Sequence, residues 1–394
     1  MNLYSYRYRL YPTQDQEILL AKHFGSTRYV YNHFLSQRKN KYLASKKSSN
    51  YFQDCKELTE LKKTLPWIKE IGSQSLQYSL KCLEAAYNNF FAGRNRFPTF
   101  KAKYHKQSFR VPQNTKIDDD KLYIPKFLEG IRMIQHRPLE GTIKFSTISK
   151  NKSGQYHVSI TVEREIPQLP KTDKEVGIDF GIKTLATCSD GTTYENIKSY
   201  RIFKKRMKRY QRQYNKKKGS KNKERARKKL AKIHQKIVNI RRDHLHKTTR
   251  KIINENQVIY LETLAVQNMM KNHKLAGAIA DVSWSEMNRQ LEYKAAWAGR
   301  EIIRLDRWFP SSKTHELCGW INQNLKLKDR TWVCQCGEVV DRDLNAAKMI
   351  LKQGKIEKYV PLERRELKRM DLEEIRLNIQ STKEEIRNLA PLGA

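Results

Sequence analysis

No stretch of this 394-residue chain is apolar for long enough to span a bilayer, which excludes a membrane helix. The opening, Met1–Arg9, is aromatic and basic and lacks the apolar centre of a secretory signal, so none is expected there. Cysteines are few. Cys55, Cys82 and Cys188 are scattered singly, and Cys318, Cys334 and Cys336 lie close together. That pattern speaks against a disulfide framework and for a reducing compartment with one metal site. Long internal repeats are absent. Above all the chain is short of acid: 41 Asp and Glu stand against 79 Lys and Arg, a net charge of +38. Such a chain repels itself when compact unless a polyanion neutralises it. Nucleic acid is the natural partner, bound with an affinity that falls with salt; an anionic membrane is the weaker candidate. The expectation is a soluble, intracellular nucleic-acid-binding protein of two to four domains.

What is present divides by periodicity. Residues 3–10 put Tyr4, Tyr6, Tyr8 and Leu10 on one side of a strand and Arg7 and Arg9 on the other. Thr13 and Gln16 form a capping-box pattern that predicts a helix to about His23; Gly25-Ser26 should break it, and a second helix follows through Val30, Phe34 and Leu35. Residues 39–47 are expected to be a polar loop or frayed end. Helical spacing returns near Leu58 and from Leu76 to Phe91, so residues 11–105 read as a helical domain. It leaves through a segment of alternating cations and rings containing Arg94, Arg96, Phe97, Phe100 and Lys101. Such a segment can grip phosphates and stack on bases, or it can be an aromatic plug; composition leaves both open. Residues 106–168 read as short strands, a small β-barrel or curled sheet that strand 3–10 joins. From Lys198 to Lys251 there are 24 Lys or Arg and two acids, Glu224 and Asp243, with an apolar seam at helical spacing. The pattern predicts a helical hairpin, either a cationic arm lying along a nucleic-acid backbone or a solvated charged face, and the scarcity of interleaved acids favours the arm.

Between these lies a buried strand, Val176 to Phe180, that carries Asp179 among apolar neighbours. A carboxylate there needs a partner. Glu262 ends a later strand, Val258–Leu261, and Asp343 opens a helix expected to run to about Lys352. Asp281 or Ser283, with Glu286, is expected to cap the helix through Met287 and Leu291. An RNase H-type sheet would bring the three acids together, and they could then hold two Mg²⁺ ions suited to phosphodiester cleavage. Taken singly, each has an ordinary alternative: a buried structural acid, a strand-end residue, a helix-start carboxylate. His315, Cys318, Cys334 and Cys336 form two short ligand pairs around a loop, the spacing of a zinc ribbon holding one structural Zn²⁺; the alternative is reduced cysteines that bind nothing. Because the ribbon precedes the helix of Asp343, loss of its metal should displace that acid.

Several motifs carry a resemblance to a known family. They are Val176-Gly177-Ile178-Asp179-Phe180-Gly181, the Glu262 strand, and Gln290-Leu291-Glu292-Tyr293-Lys294. Two more are Arg307-Trp308-Phe309-Pro310-Ser311-Ser312-Lys313-Thr314 and Asp341-Arg342-Asp343-Leu344-Asn345-Ala346-Ala347. With Tyr11-Pro12-Thr13, Phe24-Gly25-x-x-Arg28-x-x-x-Asn32 and Phe97-Pro98-x-Phe100-Lys101, they resemble the TnpB proteins in order over residues 1–352. TnpB proteins are transposon-encoded, RNA-guided DNA endonucleases related to the compact single-effector CRISPR nucleases.

The resemblance implies a multidomain α+β architecture. A wedge β domain would comprise 1–10 and 106–170, and a helical recognition domain 11–105. An RNase H-like RuvC domain would comprise 171–309 and 341–352 and carry the basic hairpin, 198–251; a zinc ribbon, 310–340, is inserted in it. The charged tail, 353–394, is not covered. Asp179, Glu262 and Asp343 become the catalytic, Mg²⁺-holding acids. Arg28, Lys204, Lys205, Arg209, Lys216, Lys217 and Arg227 join the Arg94–Lys101 segment as candidate nucleic-acid contacts. The implied partners are a guide RNA from the transposon end and double-stranded target DNA beside a short motif, with no membrane and no protein partner implied. The implied location is the bacterial or archaeal cytoplasm, with the nucleoid. The rival readings are a guided repressor without cleavage, a transposase or its accessory, and an RNA-packaging protein. One departure stands out: the family usually carries two Cys-x₂-Cys pairs. Here His315 replaces the first cysteine and the second pair is one residue short. An extended Cys334-Gln335-Cys336 would aim its thiols to opposite sides, which leaves the fourth ligand open.

Overall fold

The computed structural model describes residues 2–216, 219, 221–326 and 328–359. Of these, 2–166 with 203–237 form one compact unit and 167–202 with 238–359 another. The first contains β1 (Asn2–Tyr11), α1 (Gln14–Ser45), α2 (Tyr51–Thr64), α3 (Ser73–Phe91), β2 (Gln107–Val111), β3 (Lys116–Asp118), β4 (Lys121–Ile124), β5 (Phe127–Ile134), β6 (Thr142–Lys150) and β7 (Tyr156–Arg164). Seven strands form one antiparallel sheet in the order β2-β6-β7-β1-β5-β4-β3. The alternation in β1 decides its faces: Tyr6, Tyr8 and Leu10 are buried and Arg7 and Arg9 exposed. Among the described residues no ladder joins β2 to β3, so this is a curled sheet and not a hydrogen-bonded barrel.

Helix α1 corrects the expected break at Gly25-Ser26 and the loop at 39–47. It is one helix of 32 residues, started by the Thr13–Gln16 capping box. A helical glycine costs about 1 kcal/mol. Burial outweighs it, because Leu20 and Phe24 enter the sheet's core while Val30, Tyr31, Phe34 and Leu35 enter the core of α2 and α3. One continuous helix serves both cores, and a break would detach one of them.

The second unit contains β8 (Glu175–Phe180), β9 (Thr184–Cys188), β10 (Thr193–Glu195), the outer ends of α4 (Ser199–Lys216) and α5 (Lys221–Glu255), β11 (Val258–Leu261), α6 (Val266–Met269), α7 (Ala276–Val282), α8 (Trp284–Ala298), β12 (Glu301–Arg304), β13 (Thr331–Val333), β14 (Val339–Asp341) and α9 (Arg342–Tyr359). Its main sheet runs β10-β9-β8-β11-β12. The first three strands are an antiparallel meander; β8, β11 and β12 are parallel. Val176, Ile178 and Phe180 face a core shared with Leu245 and Ile252 of α5 and with α7 and α8. The alternate positions face α9, where Tyr260 packs on Ile350.

Two glycines let α9 lie close. A Cβ on Gly177 would stand 2.3 Å from the Ala347 carbonyl oxygen, and one on Gly354 would stand 2.1 Å from the Tyr260 ring. Gly177→Ala should therefore push α9 off β8 at about 1–3 kcal/mol, read as a lower thermal midpoint. An unchanged midpoint would contradict this packing. The helix also outruns its expected end at Lys352. Lys355 and Lys358 reach Glu175, at 3.5 and 3.2 Å, which ties the far end of α9 to the start of β8. The remainder of the expected charged tail, residues 360–394, lies outside the described residues. Asp281 caps α4 and not the expected α8. It accepts from the Ser199 hydroxyl and the Tyr200 amide at 3.0 Å and pairs with Arg241 at 2.8 Å. Ser283 enters α8 in the left-handed region without a side-chain cap, and Glu286 pairs with Arg289.

Candidate functional site

Register brings two of the three acids to one end of this sheet, and helix α9 carries the third toward them. Ile178 pairs with Leu261 across the parallel β8–β11 ladder. Asp179 and Glu262 each follow by one residue and share the face opposite Ile178 and Leu261. Helix α9 covers that face. With Glu175 bound near its far end and Ala347 over Gly177, its N-terminus must reach the Asp179 end. Asp343 lies one turn before Ala347 on the same helix side. Asp341 caps the helix by accepting from the Leu344 amide at 2.9 Å.

The electrostatics agree with this convergence. Burial pushes the Asp179 carboxyl well above its ordinary range; Glu262 and Asp343 push it further, and Arg342 and Arg330 oppose them. Burial also raises Glu262 to about 7, against the Phe180 amide, which donates to its Oε1 at 3.3 Å. Asp343 is held differently. Both its oxygens accept from Arg330, at 3.1 and 3.0 Å, and Arg342 donates to Oδ1 at 3.1 Å. The donor set is all carboxylate oxygen, which suits a hard cation such as Mg²⁺. Two of its members are destabilised as anions and would gain from a cation.

A second site is built from side chains that sequence spacing put near each other. His315, Cys318, Cys334 and Cys336 present ligand atoms all within 4.8 Å of one another, a group that could hold a metal ion. The His315 Nδ1 to Cys318 Sγ distance is 3.2 Å, Cys318 Sγ to Cys334 Sγ 3.4 Å and Cys336 Sγ to His315 Nδ1 3.5 Å. Tetrahedral Zn²⁺ with bonds of about 2.0–2.3 Å requires edges only slightly longer, so the residues fit that ion. A turn brings the fourth candidate ligand, the Cys336 thiol, into the group. Gly337 donates to the Cys334 carbonyl at 2.9 Å with φ of 89°, so Cys334-Gln335-Cys336 is curled and both thiols face inward. The first pair is closed similarly: His315 and Trp320 bond through their backbones, and Gly319 donates to the His315 carbonyl. Among the described residues the apolar support is Trp332, Cys334 and Val340 with Trp320 and Leu325. A metal bound there would supply stability that so small a core lacks.

Sequence reasoning missed the residue that ties the two sites. Asn345 is buried; its Nδ2 donates to the Thr314 carbonyl at 2.7 Å and its Oδ1 accepts from the Glu316 amide at 2.9 Å. It thus clamps the backbone on both sides of His315 to the helix of Asp343. The signal was its place in Asp341-Arg342-Asp343-Leu344-Asn345, where a polar residue interrupts a helix about to turn apolar. Arg330 and Arg342 were missed as partners of Asp343.

Comparison with known proteins decides the family. Residues 157–273 match a family model described as "Probable transposase", residues 284–350 one described as "Cas12f1-like, TNB domain", and residues 1–47 one described as a helix-turn-helix domain. A Streptomyces pristinaespiralis protein named as a candidate RNA-guided DNA endonuclease is 40% identical over 359 residues, covering 89% of each chain. The chain belongs to the TnpB family. The InsQ protein of Escherichia coli K12, named likewise, is 34% identical over 379 residues, 89% of this chain and 92% of its own. The solved complex of Cas12f1 with guide RNA and target DNA is similar in fold, with a TM-score of 0.54 and 15% identity over 85% of this chain and 82% of that one. In this TnpB chain the residues matched as helix-turn-helix are β1 and the single helix α1. No helix among the described residues is long and apolar enough to cross a membrane.

The candidate nucleic-acid contacts fall into two groups. Arg94, Arg96, Phe100, Lys204, Lys205, Arg209 and Lys216 are exposed. Others are engaged within the chain. Arg28 donates to Gln107 at 2.9 Å, Arg227 pairs with Glu224 at 2.6 Å, and Phe97 packs edge-on against Tyr87 and Phe90. Lys101 lies 3.7 Å over the Tyr31 ring, and its backbone is bonded both ways to Asn32. Phe97 and Lys101 are thus held at the surface of the helical domain by ring contacts and the Asn32 bonds, while Arg94, Arg96 and Phe100 lie exposed beside them. Lys217 lies outside the described residues.

Proposed function

We propose that this protein is an RNA-guided endonuclease that cuts double-stranded DNA beside a short target-adjacent motif, using a guide RNA from its own transposon end. The observation that carries the reading is the convergence of Asp179, Glu262 and Asp343 at one end of the sheet under α9, with the Asp179 carboxyl held far from its ordinary range. The names of the relatives supply the guide and the DNA. Residues 171–309 and 341–352 would be the RuvC domain, and Asp179, Glu262 and Asp343 would hold two Mg²⁺ ions. Bound there, the ions would activate a water and neutralise charge at the departing 3′ oxygen. The chain's own part is to orient: Arg330 and Arg342 set the Asp343 carboxylate, and the Phe180 amide sets Glu262. His315, Cys318, Cys334 and Cys336 would hold Zn²⁺ in a ribbon, 310–340. The curled sheet would be the wedge and α1–α3 the recognition domain. The exposed cations of α4 would meet phosphates.

The test is cleavage by the protein purified with its RNA. A plasmid carrying the guide-matched sequence beside the motif should be linearised when Mg²⁺ is present, and an unmatched plasmid should not. Matched plasmid left uncut would overturn the proposal.

A further inference from the structure

His315 is the one imidazole among three thiols in the candidate metal group, and a carboxylate stands beside it. Its Nδ1 faces the Cys318 and Cys336 sulfurs, while its Nε2 lies 3.3 Å from Glu338 Oε2. The imidazole is buried and sits edge-on to Trp332, so the ring has little freedom. The Glu338 backbone is anchored, because its carbonyl accepts from the Cys334 amide at 2.8 Å and closes the second knuckle, while its carboxylate is half-exposed.

We propose that Glu338 is a positioning residue for the metal centre. With the ion bound, its carboxylate, 3.3 Å from Nε2, would accept the Nε2 proton of neutral His315 and so keep Nδ1 unprotonated and turned toward the ion. A neutral imidazole has one N–H and one lone pair, and a carboxylate beside Nε2 decides which nitrogen keeps the proton. Outer carboxylates of this kind also raise ligand basicity. Here there is a further consequence. Replacing a thiolate by neutral imidazole removes one negative charge from around a divalent cation, and Glu338 returns one at the next distance out. A cysteine at 315 would have no use for it.

The inference rests on the zinc reading. The experiment uses full-length protein with its RNA, measuring zinc content and Zn²⁺ affinity by competition with a chromophoric chelator. Wild type should carry one Zn²⁺ per chain; if it carries none, the zinc reading and this inference both fall. Glu338→Ala should weaken affinity by about 10–100-fold. Glu338→Asp, one methylene too short, should behave like Ala, and Glu338→Gln, which still accepts a hydrogen bond, should lose less. In a His315→Cys background, Glu338→Ala should change affinity less than about twofold. With zinc bound by wild type, either of two results overturns the inference alone: unchanged affinity in Glu338→Ala, or an equal loss in both backgrounds, which would mark Glu338 as general charge. The Ala, Asp and Gln series decides the matter even if the His315→Cys protein does not fold.

Discussion

Asp179→Asn should abolish DNA cleavage while making the Mg²⁺-free protein more resistant to unfolding. The loss should exceed the roughly 10–100-fold seen when only an outer partner of a metal ligand is removed, because Asp179 is assigned to the ions themselves. The gain follows from the carboxylate's surroundings. Burial and two neighbouring acids disfavour its charge, and the two arginines that oppose them are paired directly with Asp343. An acid whose pKa is raised on folding binds its proton more tightly in the native state. Stability is then highest below the unfolded pKa and is lost as pH rises toward the folded one. For Glu262 that window runs from about 4.3 in the unfolded chain to about 7 in the folded one. The Mg²⁺-free wild type should therefore lose stability across that range, and Mg²⁺ should restore it above the range by binding the ionised pair. Asparagine at 179 keeps the shape and removes one charge, so the fall should be shallower. Thermal unfolding from pH 4 to 8, with and without Mg²⁺, reads both effects. A variant that unfolds more easily than wild type at pH 8 without Mg²⁺ would contradict this account of the site.

Removing the ribbon's metal should also stop cleavage, even with Mg²⁺ in excess. Cys334→Ser or a zinc chelator should do this while RNA remains bound. The route is covalent and hydrogen-bonded. Strand β14 runs directly into α9, so the ribbon ends where the helix of Asp343 begins. Asn345 clamps Thr314 and Glu316 to that helix. Arg342 donates its amide to the Arg330 carbonyl at 2.8 Å, and both side chains grip Asp343. With a core as small as Trp332, Cys334 and Val340, the knuckles cannot keep their shape without an ion. Asn345→Ala supplies the matching control. It should lower cleavage by about 10–100-fold with zinc content unchanged, because it cuts the link and not the ligands. Zinc-free protein that cleaves at the wild-type rate would separate the two sites and sink the coupling.

Some of this was legible before any coordinates. Strand alternation needs only local spacing, so the faces of β1 follow from Tyr6, Arg7, Tyr8 and Arg9 themselves. The Thr13–Gln16 box is a four-residue device and forms as its spacing requires. Ligand pairs around tight knuckles are local too, although Cys334 and Cys336 came within reach only through the left-handed turn at Gly337. The continuity of α1 was not legible, because Gly25 argues for a break and two cores in contact with one helix argue more strongly against it. Nor was the role of Asp281, whose capping partners at Ser199 and Tyr200 lie some eighty residues upstream.

By itself the sequence determined what each segment is made to do: which strands are buried, where the cations collect, which residues could hold a metal, and that Asp179, Glu262 and Asp343 are acids in places where acids are costly or useful. Only the tertiary structure decided that they lie near enough to act on one another's charge. That depends on the β8–β11 register and on α9 lying tightly enough over Gly177 and Gly354 to bring its first turn to Asp179. Contacts between distant segments are set by close packing, and a glycine shows in sequence only as a missing side chain, with no mark of the neighbour it admits.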